Sequence, residues 1–157
     1  MVGVVCALLG GGAVGGLQYS DARKADRFQD EVEDAVIYLI DGHWTPERAA
    51  HAADYYAFPL TAFYNAIDLD EAGYQAEAVK FWSTFEYVNV GVTRVQILED
   101  SDYLGYVRVT VDATISRVFR NGGCKQTADS TYLLSLERLE VGYRIRSERE
   151  TATPLVC

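Results

Sequence analysis

No run of lysine or arginine occurs in these 157 residues, and 14 basic side chains stand against 23 acidic ones, for a formal net charge of −9. Nucleic-acid binding needs a basic stripe to displace counterions from phosphates, so that class of partner is excluded. Only two histidines are present, His43 and His51, without ligand spacing between them, and no metal site is expected. The chain has no Gly-x-Ser-x-Gly elbow and no dinucleotide fingerprint, and its glycine tract at 10–16 lacks the lysine that phosphate loops use. No cofactor is expected. The acidity is lopsided: residues 1–93 hold five basic and fourteen acidic side chains, whereas residues 94–157 hold nine of each.

Charge is also missing from residues 2–17, where Val4-Val5-Cys6-Ala7-Leu8-Leu9 runs into the glycine tract. That stretch falls short of the roughly twenty apolar residues a membrane-crossing helix needs. It resembles an export signal or the end of an anchor, although no basic segment precedes it, and the alternative is a buried strand or a glycine tail. Bulky Val5 disfavours lipidation at Cys6. The expectation is a signal or membrane-anchor-like segment at 1–19 and one folded domain at 20–157, extracytoplasmic and either anchored or secreted.

Ser20 or Asp21 can cap a helix whose apolar face is Phe28, Val32, Ala35, Val36 and Leu39, with Gly42 as its stop. Thr45-Pro46-Glu47 opens a short second helix, since threonine caps, proline sets the first turn and glutamate complements the dipole. Residues 58–67 contain Pro59, which suits an edge strand because proline cannot donate to a ladder. Asp70-Glu71 starts a third helix, predicted to bury Ala72, Ala76, Val79, Trp82 and Phe85.

After Glu86 the period becomes two, and four antiparallel strands are predicted. Val107, Val109, Val111, Ala113 and Ile115 share one face, and Asp112 lies on the other. Asn121-Gly122-Gly123 signals one hairpin and Glu140-Val141-Gly142 a second. A two-residue loop at Glu140-Val141 pairs Leu136 with Ile145 and Glu137 with Arg144. Carried further, the same register places Cys124 opposite Cys157, a disulfide candidate in an oxidising compartment and otherwise two free thiols.

This element order, with Asp54-Tyr55-Tyr56-Ala57 before the edge strand, Phe81-Trp82 in the third helix and a terminal hairpin through 132–136 and 143–145, resembles the nuclear transport factor 2-like (cystatin-like cone) superfamily over residues 21–151. The resemblance implies an α+β fold, three N-terminal helices packed on a curved antiparallel sheet around a hydrophobic pocket. It also implies frequent dimers, and functions that range from isomerases, dehydratases and epoxide hydrolases to noncatalytic adaptors. Relatives of the ketosteroid-isomerase and polyketide-cyclase kind hold carboxylates or histidine inside the cone. Here the inward positions of the central strand are apolar, while Asp112 and Asp129 fall in the wet phase.

The leading expectation is therefore a noncatalytic domain that binds a protein partner or a small apolar ligand, as an accessory part of a membrane-associated assembly. Tyr55, Tyr56, Tyr64, Trp82 and Phe119 are its expected ligand-binding residues. The alternative is an enzyme acting on a hydrophobic small molecule, with Asp54 as base and Tyr56 or Tyr64 as hydrogen-bond donor. A third reading makes the wet sheet face a homodimer surface.

Overall fold

The computed structural model describes residues 13–101, 105–120 and 124–151. The chain divides at Val32/Glu33 into two compact units, and the larger one, from Glu33 onward, holds every feature developed below. Helix α1 (Ala13–Ile40) runs through the expected caps at Ser20 and Asp21. A glycine in a helix costs only about 1 kcal/mol, so the Gly15-Gly16 pair does not forbid the longer helix. In its last turns Val36, Leu39 and Ile40 are buried, and Gly42, at φ 90°, ends the run as predicted. No described helix is long and apolar enough to cross a membrane. The rest of the signal or anchor-like segment lies outside the described residues.

Strand β1 (Gly42–Trp44) leads into α2 (Pro46–Ala50), where the Thr45 hydroxyl accepts from the Arg48 amide at 3.3 Å, the cap that the sequence predicts. A single 3₁₀ turn at Ala52–Asp54 follows. The expected edge strand after Pro59 is a hairpin, β2 (Leu60–Phe63) and β3 (Ala66–Leu69), turned at Tyr64 with φ 52°. Residues other than glycine seldom take that conformation, which is why the turn is hard to read from sequence. Helix α3 (Glu71–Thr84) is capped by Asp70, whose carboxylate accepts from the Gly73 amide at 2.7 Å. Its buried face is Tyr74, Ala78 and Trp82; of the predicted set Trp82 and the following Phe85 are buried, whereas Ala72, Ala76 and Val79 are exposed. Trp82 is common to both sets, and the larger area of Tyr74 decides which arc packs with it.

The sheet is completed by β4 (Phe85–Ser101), β5 (Tyr106–Phe119), β6 (Lys125–Arg138) and β7 (Tyr143–Thr151), in the order β1-β4-β5-β6-β7-β2-β3. All neighbours are antiparallel except β2 and β7, which run parallel. Bulges in the β4–β5 ladder between Phe85/Tyr87, Val92/Arg94 and Ile97/Glu99 bend and twist it. The predicted inward set on β5, Val107 to Ile115 by alternation, is buried throughout. At the last hairpin the Leu139 amide donates to the Gly142 carbonyl at 3.1 Å, closing the Glu140-Val141 loop, with Leu136 opposite Ile145 as the register requires.

That register does not persist. A bulge between Ser135 and Leu136 shifts the pairing by one, so Ser135 faces Ser147 and the arithmetic that set Cys124 against Cys157 fails. Cys124 is nevertheless disulfide-bonded, while Cys157 and the Asn121-Gly122-Gly123 turn lie outside the described residues.

Candidate functional site

Three backbone contacts assemble the site on β7. The stretch at 55–57 docks beside Ile145: the Ile145 amide donates to the Tyr55 carbonyl at 2.8 Å, and the Ala57 amide donates to the Ile145 carbonyl at 2.9 Å. Phe63 is paired with Glu148, and the Tyr64 amide donates to the Glu148 carbonyl at 2.9 Å. Tyr56 and Tyr64 are thereby brought to one carboxylate from two separate segments.

Glu148 is 6% exposed, and the Tyr56 hydroxyl donates to its Oε2 at 2.7 Å. Burial pushes the Glu148 carboxyl up to about 7, with Glu150 adding to the rise, while Tyr56 and Tyr64 favour the charged form and hold it down. Burial, with Glu148 alongside, drives the Tyr56 and Tyr64 phenols well above their ordinary values, so both remain donors at neutral pH.

Across the intervening β6, Arg117 on β5 is 9% exposed and binds Glu150 through Nη2, at 2.6 Å to Oε1 and 2.7 Å to Oε2. Ser130 donates to the same Oε1 at 2.8 Å. Burial works against the Arg117 charge, but Glu150 outweighs it and keeps the guanidinium protonated. The two groups form a buried ion pair whose separation would be costly.

Glu148, Arg117, Tyr56, Tyr64 and Tyr132 are the polar lining of a recess whose other walls include Trp44, Tyr74, Phe81, Trp82 and Val90. It holds about 60 Å³ of free space, room for roughly four waters at about 15 Å³ each. The walls are rings in contact: Tyr56 and Tyr74 lie 4.9 Å apart, Phe63 and Tyr74 5.0 Å, and Phe81 and Trp82 5.0 Å. An uncompensated charge in such surroundings is expensive, which is the physical origin of the raised Glu148 proton affinity.

Tyr56, Tyr64 and Trp82, three of the residues singled out in the sequence, line the recess. Three other expected residues do not. Asp54 is exposed at the end of the 3₁₀ turn, on the opposite side of that turn from buried Ala52 and Tyr56, so it cannot serve as the base. Tyr55 stacks on Tyr38 at 6.1 Å and carries the Arg48 guanidinium 4.4 Å from its ring centre. Phe119 packs on Phe85 at 4.8 Å and forms no part of the lining. Asp129 and His51 are exposed, and among the described residues no cluster of metal-ligating side chains occurs. The expectation of an interior free of ionisable groups is overturned by Glu148, Glu150 and Arg117.

No sequence-family model matches the chain, and no curated protein sequence matches it either. Solved structures do match. A nuclear transport factor 2-like superfamily protein from Salmonella enterica superposes with a TM-score of 0.53 at 13% identity, covering 92% of this chain and 96% of that one. A type 2 hexachlorocyclohexane dehydrochlorinase gives 0.58 at 13% identity, covering 85% and 91%. A protein from Kribbella flavida gives 0.60 at 15% identity, covering 84% and 93%. The chain has the nuclear transport factor 2-like fold, an α+β architecture whose structural neighbours include enzymes.

Proposed function

We propose that this protein is an acid–base enzyme acting on a small hydrophobic molecule, with Glu148 as the group that takes and returns a proton. The single observation that carries the reading is a buried carboxylate of proton affinity near neutrality, held by a tyrosine inside an aromatic recess. A base works best when its pKa lies near the working pH, because it is then both available and strong. Tyr56 tunes that affinity and orients the carboxylate, and the rings exclude water from the reacting carbon. The same fold carries a dehydrochlorinase, which makes chemistry at carbon compatible with the scaffold.

The test uses nitroethane, a molecule small enough for the recess and acidic at carbon. Its α-protons should exchange into heavy water faster with the protein, with a rate that rises through about pH 7 and is lost in Glu148→Gln. Exchange no faster than with an equal concentration of acetate, or unchanged in the variant, overturns the proposal.

Binding of a protein partner is a second reading, favoured by the exposed apolar side chains Ile67 and Val79, at 66% and 70% exposure. Sedimentation at micromolar concentration separates self-association from a monomer.

A further inference from the structure

We infer that the recess binds a small alkylated ammonium ion, seated between Glu148 and the aromatic walls. The inference goes beyond the acid–base reading, since it needs Glu148 as a negative charge and no proton transfer. Three observations meet in it: a carboxylate without a counter-ion, a wall of rings and a small volume. Glu148 and Glu150 set two carboxylates against the one guanidinium of Arg117, and both Glu150 oxygens are engaged by that guanidinium. Glu148 takes part in no ion pair among the described residues, and its partner is the neutral Tyr56 hydroxyl. The charged neighbour that acts on it is Glu150, which opposes its ionisation. A buried anion left without a counter-ion is costly. A cation in the recess relieves that cost, and an anion would add to it.

The walls suit a cation whose charge is spread over carbon. Aromatic rings attract cations to their faces, and quaternary ammonium ions are held in cages of such rings. Here Tyr56 and Phe63 stand at 85° to one another, Phe63 and Tyr74 at 64°, and Phe81 and Trp82 at 88°, so the rings enclose the space from several directions. One lining ring, Trp44, already holds a cation, with the Arg48 guanidinium 4.1 Å from its centre. Methyl groups on nitrogen weaken its hydration and fill apolar walls, whereas a compact cation such as sodium stays in water. The free space of about 60 Å³ takes roughly four waters, which fill about 120 Å³ of liquid, the room for one compact ion of about five heavy atoms. Tetramethylammonium has that size.

Glu148 also makes the binding depend on pH. Facing it are Tyr56, Tyr64 from the β2–β3 turn, Tyr74 from α3 and Tyr132 from β6, phenols that burial holds far above neutrality. Beyond them lies Glu150, held in its ion pair with Arg117. The charge that changes near neutrality is that of Glu148, at about 7. A cation that binds its ionised form should bind about tenfold tighter near pH 8 than near pH 6.

Both tryptophans of the chain, Trp44 and Trp82, line the recess, so intrinsic fluorescence reports its occupancy. The unaltered protein is titrated with tetramethylammonium chloride, with neutral tert-butanol of nearly the same shape, and with sodium acetate, at constant ionic strength held with sodium chloride. Near pH 8 tetramethylammonium should bind roughly ten- to a hundredfold tighter than tert-butanol, and acetate weakest of the three. Glu148→Gln keeps an acceptor for Tyr56 and removes the charge, so it should lose most of that preference and all of its pH dependence. Equal or tighter binding of tert-butanol, tightest binding of acetate, an affinity for tetramethylammonium that does not weaken toward pH 6, or a preference unchanged in Glu148→Gln would each overturn the inference. The comparison of the three ligands on the unaltered protein stands even if the variant fails to fold. Tetramethylammonium binding without nitroethane exchange supports this inference and rejects the acid–base reading, and exchange without the cation preference does the reverse.

Discussion

Replacing Glu148 by glutamine removes one ionisation and little else, because the amide oxygen can still accept from the Tyr56 hydroxyl. In the folded protein the carboxyl titrates at about 7 against an ordinary value of 4.5. Between those two values the folded state keeps a proton that the unfolded chain has released. Stability therefore falls as pH rises through this window: the contribution is fully present below 4.5 and gone above about 7. At about 1.4 kcal/mol per pKa unit the shift corresponds to about 3 kcal/mol, undiscounted for screening because the carboxylate is buried. Glutamine carries no such dependence. Urea denaturation followed by tryptophan fluorescence should find the variant within about 1 kcal/mol of the parent near pH 5 and about 3 kcal/mol more stable near pH 8. Other ionisable groups titrate alike in both proteins and drop out of the difference. A gap between variant and parent that is the same at both pH values would refute the reasoning, and so would a variant less stable than its parent near pH 8.

Two further substitutions separate tuning from packing. Tyr56→Phe keeps the ring contacts with Phe63 and Tyr74 but removes the hydrogen bond that favours ionised Glu148. The midpoint of the nitroethane pH profile should move upward by roughly one to two units, and a midpoint that stays or falls rejects Tyr56 as the tuning group. Arg48 donates to the carbonyls of Leu39 at 2.7 Å, Asp41 at 3.3 Å and Tyr38 at 3.4 Å, and its guanidinium lies 4.1 Å from the Trp44 ring centre. These bonds close the C-terminal end of α1, so Arg48→Ala should cost about 2–3 kcal/mol in urea denaturation. Arg48→Lys should recover less than half of the loss, since an ammonium cannot bridge several carbonyls while stacking on a ring. Full recovery would show that charge alone is sufficient there.

The contrast between β5 and β7 explains what could be read in advance. On β5 the two-residue period is unbroken, and alternation places Val107 through Ile115 inward without any knowledge of tertiary contacts. Arg117 continues that same phase, so its inward position was legible; its charge argued against it, and only the pairing with Glu150 shows how the sheet tolerates it. On β7 the period breaks. Tyr143 and Ile145 are buried at odd positions, whereas beyond the bulge the buried residue is Glu148, and the Glu150 side chain is only 3% exposed. Strict alternation would have turned both acids to solvent. A bulge adds one residue to one strand, and it reverses the facing of everything beyond it. Nothing in Arg146-Ser147-Glu148 announces such a step, because no glycine or proline marks it and the neighbouring side chains suit either face. The same slip that spoils the Cys124 register argument therefore brings Glu148 into the recess and buries Glu150 against Arg117. Two consequences follow from one irregularity, and the interior carboxylate that alternation denies this chain is supplied by the place where alternation fails.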